Sequence, residues 1–541
     1  MSDNYTEETE PLFRLLETEE FKFILVRVNH FSVYNRLEND LRKRFPERKF
    51  YTADGEKTDY HQLTTSFYEL EKGVLFIKHF EAVLANPDIY SGLNIRRDKL
   101  ADYPIAMICM LSPWVDDLFA KEVMEKMPDM WSFRSMILDL NVVDTEFSFM
   151  GLRNAVKPNS ANDQEKDETY KQLVGINPNN RIKQFHEHKK INSKKFEGDS
   201  SVTVSVDKDT YLKLEKMMQK VLKTFYHYDS IDTRISLPNS IALKKKSLQN
   251  LYQGQITEAI KYSLNELAIT KQIFDADPDN YILTRNYFFS LINHGDILLN
   301  TQQNKEAGIY YNAALFIANK LINDIPERIE FTDYVADALE KVAMFLIEQN
   351  ENSSAIHNLL QAQKIREKLI SIFDIDLAQN RRLALNYATI AIAYEETGKF
   401  RTAHINYLHS FHTIKKLIDL YPTDNDLLHT YSTTSAKLGD SYFNFGDFER
   451  AKQLYKECEE IDNVIYKKNP RNNLFKNMYA NSLVRLGEVY CTGLNNPQEG
   501  LPYLKKAKKI WEKLVIKAPE VEIFKQKLES ITKMILETSK S

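Results

Sequence analysis

Glycine is scarce in this chain of 541 residues, and its distribution argues against one common class of nucleotide site. Only 15 glycines occur, and none precedes Gly55. A phosphate-binding loop needs glycines after the first strand, so that backbone N–H groups can approach the phosphate, and then a lysine followed by serine or threonine. No Gly-Lys-Ser or Gly-Lys-Thr occurs anywhere in the chain, so the sequence lacks this loop.

Cysteine, long apolar runs and excess charge are lacking as well. Cys109, Cys458 and Cys491 have no metal-ligand spacing, which favours core positions in a reducing compartment. No apolar run is long enough to span a membrane, and residues 1–10 are too polar for a secretory signal. The net charge is only −4, so nucleic acid is not expected as a partner. We therefore expect a cytoplasmic protein with no membrane-spanning helix.

The main positive feature is an internal repeat in the C-terminal half, with a period of about 48 residues. Alanine, glycine and proline recur at this interval in three separate registers: Ala259, Ala307, Ala355, Ala403 and Ala451; Gly254, Gly398 and Gly446; Pro278, Pro326, Pro422 and Pro470. A period of this size is typical of a solenoid, in which each unit buries its apolar face against its neighbours. Solenoids present long surfaces, so the repeat favours binding over catalysis.

Each repeat predicts a helix, a tight turn and a second helix. In one unit Gly439 and Tyr442 lie on one helical face, Gly446 supplies the turn, and a second amphipathic stretch runs from Phe448 to Pro470. Large rings at helical spacing are mostly packing residues. The residues expected to pack between helices are Gly295, Ala307, Tyr311, Tyr394, Ala403, Tyr407, Gly439, Tyr442, Ala451, Tyr455, Gly487 and Tyr490. Ligand contacts are expected from non-repeating residues.

The N-terminal half has a different pattern, in which short apolar runs alternate with amphipathic stretches. Strands are predicted at 21–28, 49–52, 73–77 and 105–111, and helices at 34–45, 61–70, 89–100 and 114–127. This alternation predicts an α/β domain with a mainly parallel sheet. The predicted domains are therefore an α/β domain at 1–150, a polar flexible linker at 151–208, a coupling or capping helix at 209–236 and helical repeats at 237–541. The basic segment 181–195 could contact nucleic acid or an acidic partner, or it could be a solvated part of the linker.

Both halves resemble known families. The repeat spacing of Leu-Gly-x-x-Tyr, Gly and Ala resembles the tetratricopeptide repeat, although the unit is about two helical turns longer in each helix than the usual one. The strings 93–98 and 128–135, with the strand 105–111 between them, resemble the ATPase-like module that precedes such repeats in bacterial STAND-type signalling and defence proteins. Because the phosphate loop is missing, we expect a degenerate P-loop-like relative that does not hydrolyse nucleotide.

Three arginines are the candidate anion-binding or nucleotide-binding residues of the N-terminal domain. Arg96, Arg97 and Arg134 carry planar guanidinium groups that suit phosphate or carboxylate. The alternative is structural: Arg97 would solvate a helix surface, and Arg134 would pair with Asp129. Glu81 follows a predicted strand and could act as a metal-binding acid, or it could cap a helix or face solvent. No catalytic residue set, metal site or cofactor is predicted.

The sequence therefore predicts a protein-interaction scaffold or sensor that binds a protein partner on its repeats. Self-association is left open. The family resemblance implies a role in bacterial signalling or antiphage defence, with the N-terminal domain as a docking or output module. The alternative is a nucleotide-binding switch, or a weak NTPase, that uses the arginines of the N-terminal domain.

Overall fold

The computed structural model describes residues 4–140 and 237–539, with short gaps at 71, 96–99, 101–102, 116–118, 133, 327 and 373–376. The chain forms two compact units. One consists chiefly of the residues up to Leu140, and the other consists chiefly of the repeat half. The predicted linker at 151–208, the predicted coupling helix at 209–236 and the basic segment 181–195 lie outside the described residues.

The N-terminal unit is an α/β domain built on one five-stranded parallel sheet. Its strands are β1 Lys22–Val28, β2 Lys49–Asp54, β3 Gly73–Lys78, β4 Ile105–Leu111 and β5 Arg134–Leu140. Its helices are α1 Asn4–Leu15, α2 Ser32–Arg44, α3 Tyr60–Leu70, α4 Phe80–Ala85, α5 Pro87–Ile95, α6 Phe119–Lys126 and α7 Pro128–Ser132. The strand order is β2-β3-β4-β1-β5, and every neighbouring pair is parallel. The predicted parallel sheet is thus confirmed.

Two apolar cores cover the two faces of this sheet. Successive strand residues point to opposite faces, so Phe23 and Leu25 enter one core while Ile24 and Val26 enter the other. Helices α1 and α2 pack on the second core, and α3 to α7 pack on the first. The continuous burial of β4, in which every residue is buried, follows from this two-sided cover.

Four elements of this domain were not predicted: helix α1, strand β5 and the short helices α4 and α7. Helix α1 contains Pro11 and lies in an acidic, polar stretch, although Tyr5 and Leu12 are buried in the core. Strand β5 lies at the edge of the sheet, and its apolar run covers only residues 136–138. The edge position of β5 and the polar composition of α1 weaken the apolar pattern by which the central strands were predicted.

The repeat half is all-helical, as predicted. Its helices are α8 Leu237–Gln253, α9 Ile256–Ala276, α10 Tyr281–Asn300, α11 Asn304–Asp324, α12 Ile329–Glu348, α13 Asn352–Ile372, α14 Leu377–Glu396, α15 Phe400–Leu420, α16 Asn425–Asn444, α17 Phe448–Lys468, α18 Asn473–Glu488, α19 Pro497–Lys517 and α20 Glu522–Thr538. Each helix from α11 to α18 begins one full period after its equivalent in the preceding unit. The register found in the sequence therefore sets the helix boundaries.

The alanine register forms the contact line between paired helices. Ala259, Ala307, Ala355, Ala403 and Ala451 are all essentially inaccessible to solvent. They lie near the start of the second helix of each pair, where a small side chain allows close approach of the first helix. The repeat unit is thus a helical hairpin that is completed by its neighbours.

In the last pair of helices, α18 and α19, the second helix is shifted by one residue. The first helix, α18, ends in a π-helical turn at Val489–Gly493, which accommodates one extra residue. Helix α19 therefore starts one position later than the period set by α17 requires, and Leu504 takes the place that Tyr455 has one unit earlier. Tyr503, the neighbouring aromatic, stacks instead on Tyr490 with an angle of 3° between the rings.

Within the residues described above, none of the helices combines the length and the apolar composition that a membrane span requires.

Candidate functional site

A four-residue interaction recurs three periods apart in the repeat half. An added Cβ at Gly295 would lie 2.6 Å from the Tyr311 ring, so the absent side chain makes room for that ring. The Tyr311 hydroxyl donates to the Asp296 carboxylate at 2.9 Å, and Lys341 of the next unit lies 2.7 Å from the same carboxylate. The ring, the carboxylate and the cation therefore join two successive units.

The same arrangement appears three units further along the chain. An added Cβ at Gly439 would lie 2.6 Å from the Tyr455 ring, and Tyr455 donates to Asp440 at 2.8 Å. Arg485 takes the place of Lys341 and donates to both carboxylate oxygens of Asp440, at 2.8 and 3.1 Å. The aspartate and the cation share the repeat register, but sequence reasoning found only the glycine and the tyrosine.

The other residues expected to pack between helices occupy similar places. Tyr407 is buried and donates to Glu395 at 2.6 Å, and Tyr442 is also buried. Tyr394 and Tyr490 are only half-buried. An added Cβ at Gly487 would lie 2.6 Å from Leu504, because of the one-residue shift of α19.

One register position of the second helix is buried in five successive units, but its residue type differs in each of them. Its occupants in successive units are Thr270, Ala318, Arg366, Ile414 and Asp462. Asp462 accepts hydrogen bonds from Ser432 and Ser482, and burial raises the pKa of Asp462 to about 6. This position gives each interface between units its own polarity.

Arg366 is the occupant of this position that most requires partners of opposite charge, because its cationic side chain is fully buried. It donates to Asp333 at 2.6 Å, to Asp337 at 2.8 Å and to Glu340 at 2.7 and 2.9 Å. Arg382 from α14 binds the same Asp333. The nearby carboxylates hold the pKa of Arg366 well above its usual range, although burial opposes this. The cluster joins α12, α13 and α14 through charge-assisted hydrogen bonds.

The first and last repeats of this half contact each other along a seam formed by residues of α8, α9, α18 and the segment between α19 and α20. The Asn473 amide donates to the Gln253 carbonyl at 3.1 Å. Glu520 accepts from the backbone N–H and the hydroxyl of Thr257, both at 3.3 Å. Thr257 lies in the first turn of α9, whose cap residue makes no side-chain cap bond, so Glu520 supplies a carboxylate at that positive helix end.

A pocket of about 80 Å³ opens at this seam. It is lined by Leu251, Tyr252, Gly254, Ile256, Asn300, Asn473, Leu474, Asn477, Val521, Ile523 and Phe524. The lining comes from both ends of the repeat half, so the pocket exists only when the seam is closed. Burial, together with the charges of Asp426 and Asp296, raises the pKa of Tyr252.

The N-terminal domain has a second candidate site at the carboxyl ends of its strands. The chain leaves β1 toward the face covered by α2, and it leaves β3 and β4 toward the opposite face. Crevices at such a change of direction are where open parallel sheets bind ligands. The residues that follow β1, β3 and β4 therefore form the candidate site at this edge of the sheet.

His79, Glu81 and Ser112 meet at this crevice. Glu81 accepts from the Ser112 backbone N–H at 3.2 Å and from its hydroxyl, and the His79 ring lies 3.4 Å from that hydroxyl. His79 has a positive φ of 53°, an uncommon conformation for a residue other than glycine. Burial raises the pKa of Glu81, despite the bonds from Ser112. The Glu81 carboxylate thus binds Ser112 at the end of β4. The sequence had favoured a helix-capping or solvent-facing role for Glu81.

Aromatic rings pack where the chain leaves β1. The Phe31 ring centre lies 5.2 Å from Trp114, 5.4 Å from His79 and 5.0 Å from Tyr34. A phosphate loop would place glycine backbone at this position. In this chain a bulky side chain occupies it instead.

The three candidate arginines do not form one described site. Arg96 and Arg97 lie outside the described residues. Arg134 is exposed at the start of β5, with its guanidinium 4.0 Å from the centre of the Trp131 ring. The two strings on which the resemblance rests do meet, because the Asn94 amide oxygen accepts from the Asp129 and Met130 backbone N–H groups at 2.9 and 3.1 Å.

Comparison with known protein families identifies one repeat unit. The tetratricopeptide repeat model matches residues 434–464, which lie on α16 and α17. This unit therefore matches the tetratricopeptide model, in agreement with the spacing of the sequence. No curated protein matches the chain.

Several solved structures are similar to the chain at low identity. The BtubC (BKLC) protein from P. vanneervenii is 16% identical over 48% of this chain and 92% of its own, with a TM-score of 0.37. The apo form of RapI is 15% identical over 56% and 97%, with a TM-score of 0.35. A STAND protein with a tetratricopeptide repeat sensor, from Pyrococcus horikoshii, is 10% identical over 98% and 96%, with a TM-score of 0.29. Similarities at this level carry no information about partners.

Proposed function

We propose that this protein is a cytoplasmic interaction scaffold or sensor, whose helical repeats bind a protein partner. The observation that carries the proposal is the stack of helical hairpins in strict register, one of which matches the tetratricopeptide model. Such stacks present surfaces wide enough for a protein or peptide. The three cysteines are buried free thiols, which agrees with a reducing compartment.

The proposed context is bacterial signalling or antiphage defence, with the N-terminal domain as the docking or output module. This part rests on the strings at 93–98 and 128–135, which the structure joins through Asn94 and Asp129. The crevice after β1 carries Phe31 in place of a glycine loop, which supports a role in docking rather than nucleotide hydrolysis.

Cross-linked affinity purification from the native host, followed by mass spectrometry, tests the proposal. The full chain would be compared with a version that lacks residues 1–160, after circular dichroism has shown that the shortened version is helical. A partner retained by both versions would place recognition on the repeats. If neither version captures a specific partner and light scattering shows no self-association, the proposal is wrong.

The second candidate is a nucleotide-binding switch in the N-terminal domain. It is favoured by the contact of the half-buried Glu81 with the buried Ser112 at the carboxyl ends of β3 and β4. Calorimetry with ATP, ADP and GTP would show binding heat, reduced by substitution of Arg96, Arg97 or Arg134. The absence of both heat and an arginine-dependent thermal shift would remove this candidate.

A further inference from the structure

The side of α19 that faces solvent carries a row of four lysines. Lys505, Lys509, Lys513 and Lys517 follow one another at intervals of four residues, so they lie on one side of the helix, and all four are exposed. This lysine row spans about 18 Å along the helix axis. The same register positions of α17 hold Lys456, Glu460, Val464 and Lys468, and those of α15 hold Leu408, His412, Lys416 and Leu420. The lysine row is therefore not a property of the repeat register.

Neighbouring carboxylates do not neutralise the lysine row. Across the described ranges 4–140 and 237–539, no carboxylate lies within 4.0 Å of its four ammonium groups, and this includes Glu512 of the same helix. Lys506, outside the row, instead pairs with Glu459 of α17 at 3.6 Å. Lysines at i and i+4 repel one another, which destabilises a helix. A row of them that adds nothing to folding points to a functional use of the charge.

An exposed apolar side chain lies beside the lysine row. Ile516 is 80% exposed, the largest value among the large apolar side chains of the described residues. It follows Lys513 by three residues, so these two side chains are neighbours on the helix surface. The surface thus combines several cationic groups with one apolar contact.

The composition of this surface favours carboxylates over phosphates and lipids. Arginine suits phosphate and nucleic acid best, because its planar fork forms paired bonds, but α19 has six lysines and no arginine. A single exposed isoleucine offers a membrane little apolar surface, whereas it matches one apolar residue of a peptide. The net charge of −4 on the whole chain also disfavours a long polyanion.

We propose that the lysine row, together with Ile516, is a docking surface for an acidic segment of a partner protein, in which carboxylates flank an apolar side chain. The inference rests on the proposed function, in which the repeats bind a protein. An extended chain covers about 3.3 Å per residue, so about six residues of the partner match the length of the row. Each exposed ion pair contributes little, so the row acts through the sum of its charges, which attract and orient the segment.

Fluorescence anisotropy on the full-length protein tests the proposal with labelled peptides. The probe is Glu-Glu-Leu-Glu-Glu-Leu; one control replaces each leucine with serine, and another replaces each glutamate with glutamine. We expect the probe to bind most tightly, the serine control more weakly and the glutamine control not at all, with binding that weakens as salt is added. Tighter binding of an oligothymidylate or of phosphatidylglycerol vesicles would overturn the choice of a peptide.

A triple variant of the lysine row locates the site. Lys509→Gln/Lys513→Gln/Lys517→Gln should weaken binding of the probe at least about tenfold, the combined effect of three exposed ion pairs. The variant should melt no lower than the wild type, because it removes like charges from one helix face. Circular dichroism and the melting temperature show that it is folded.

A second triple variant is the matched control. Lys364→Gln/Lys368→Gln/Lys416→Gln removes the same net charge from exposed lysines of α13 and α15, and it should change binding less than about twofold. Equal binding of the probe by the two folded triple variants would overturn the proposal, as would the absence of binding by the wild type.

This inference and the proposed function fail separately. If affinity purification captures a partner that binds equally well to both triple variants, the repeats bind a protein but the lysine row does not dock it. If the probe binds to the lysine row and no partner is captured, the docking surface is supported and the proposed function is not.

Discussion

At the scale of single residues, the backbone repeats more faithfully than the amino acids. The turn position between paired helices has a positive φ in five successive units, at Gly254, Gln302, Asn350, Gly398 and Gly446. Comparison of the repeat units in the sequence identified only the three glycines, because it detects identical residues and not identical backbone conformations. Gln302 and Asn350 adopt the same conformation, which asparagine tolerates better than glutamine. The turn geometry is therefore imposed by the hairpin.

We expect Gly398→Ala to destabilise the repeat half by about 1 kcal/mol, since a left-handed conformation costs a residue with a Cβ about that much. An added Cβ at Gly398 meets no atom within 4 Å, so backbone strain is the whole cost. The reverse substitution, Gln302→Gly, should not destabilise. Urea unfolding of both variants measures the difference, and equal effects of the same sign would contradict this account.

Glu266 makes stability depend on pH. It is buried in α9, bonds to Asn293 at 2.6 Å, and burial raises its pKa from 4.5 to about 7, although Lys244 opposes the shift. The folded protein therefore keeps a proton that the unfolded chain loses, so this residue lowers stability as pH rises from about 4.5 to about 7.

Glu266→Gln should therefore stabilise the protein at pH 8, by a few kcal/mol on the scale of about 1.4 kcal/mol per pKa unit, and change little at pH 4. Glu529→Gln, an exposed site, is the matched control. Thermal unfolding at the two pH values measures the effect. A gain that is the same at pH 4 and pH 8 would show that Glu266 is not the titrating group.

At the scale of helices and strands, the sequence predicted the elements whose apolar residues repeat or alternate. It did not predict elements that lack such a pattern. The repeat register predicted the hairpins, because packing of one unit on the next demands the same residue at the same place. Strand β5 and helix α1 were not predicted, since an edge strand and a polar helix have weak apolar patterns. The burial of Arg366 was not predicted either, because a single arginine in an amphipathic helix resembles a surface residue until its neighbours are known.

The Arg366 cluster should be required for the stability of its units. Arg366→Met would leave Asp333 and Asp337 buried with fewer cations, which typically costs about 3–5 kcal/mol. Arg366→Lys should also destabilise, because one ammonium cannot reproduce the forked bonds of a guanidinium. Lys364→Met, exposed on the same helix, is the control. Urea unfolding in which Arg366→Met matches Lys364→Met would refute the role of the cluster.

At the scale of the whole repeat half, closure is a property that no sequence pattern indicates. The contact between first and last repeats depends on the sum of small rotations between units, and each rotation depends on packing. The contact of Gln253 with Asn473 joins units that are far apart in the chain, so it is set by that sum. The seam pocket could not be found from the sequence for the same reason.

Gly254→Ala tests closure when it is compared with Gly398→Ala. Both substitutions add the same backbone strain, but only the new Cβ at Gly254 meets Ala518, at 2.5 Å. We expect Gly254→Ala to be the more destabilising, and the excess to disappear in the double variant Gly254→Ala/Ala518→Gly. Equal losses for the two single substitutions in urea unfolding would mean that the seam is open in solution.

The central claim, that the repeats bind a protein partner, is tested most directly by mapping cross-links between the captured partner and the full-length chain. We expect the partner to cross-link mainly to lysines of residues 237–539. Cross-links confined to residues 1–140 would contradict it and make the α/β domain the recognition element.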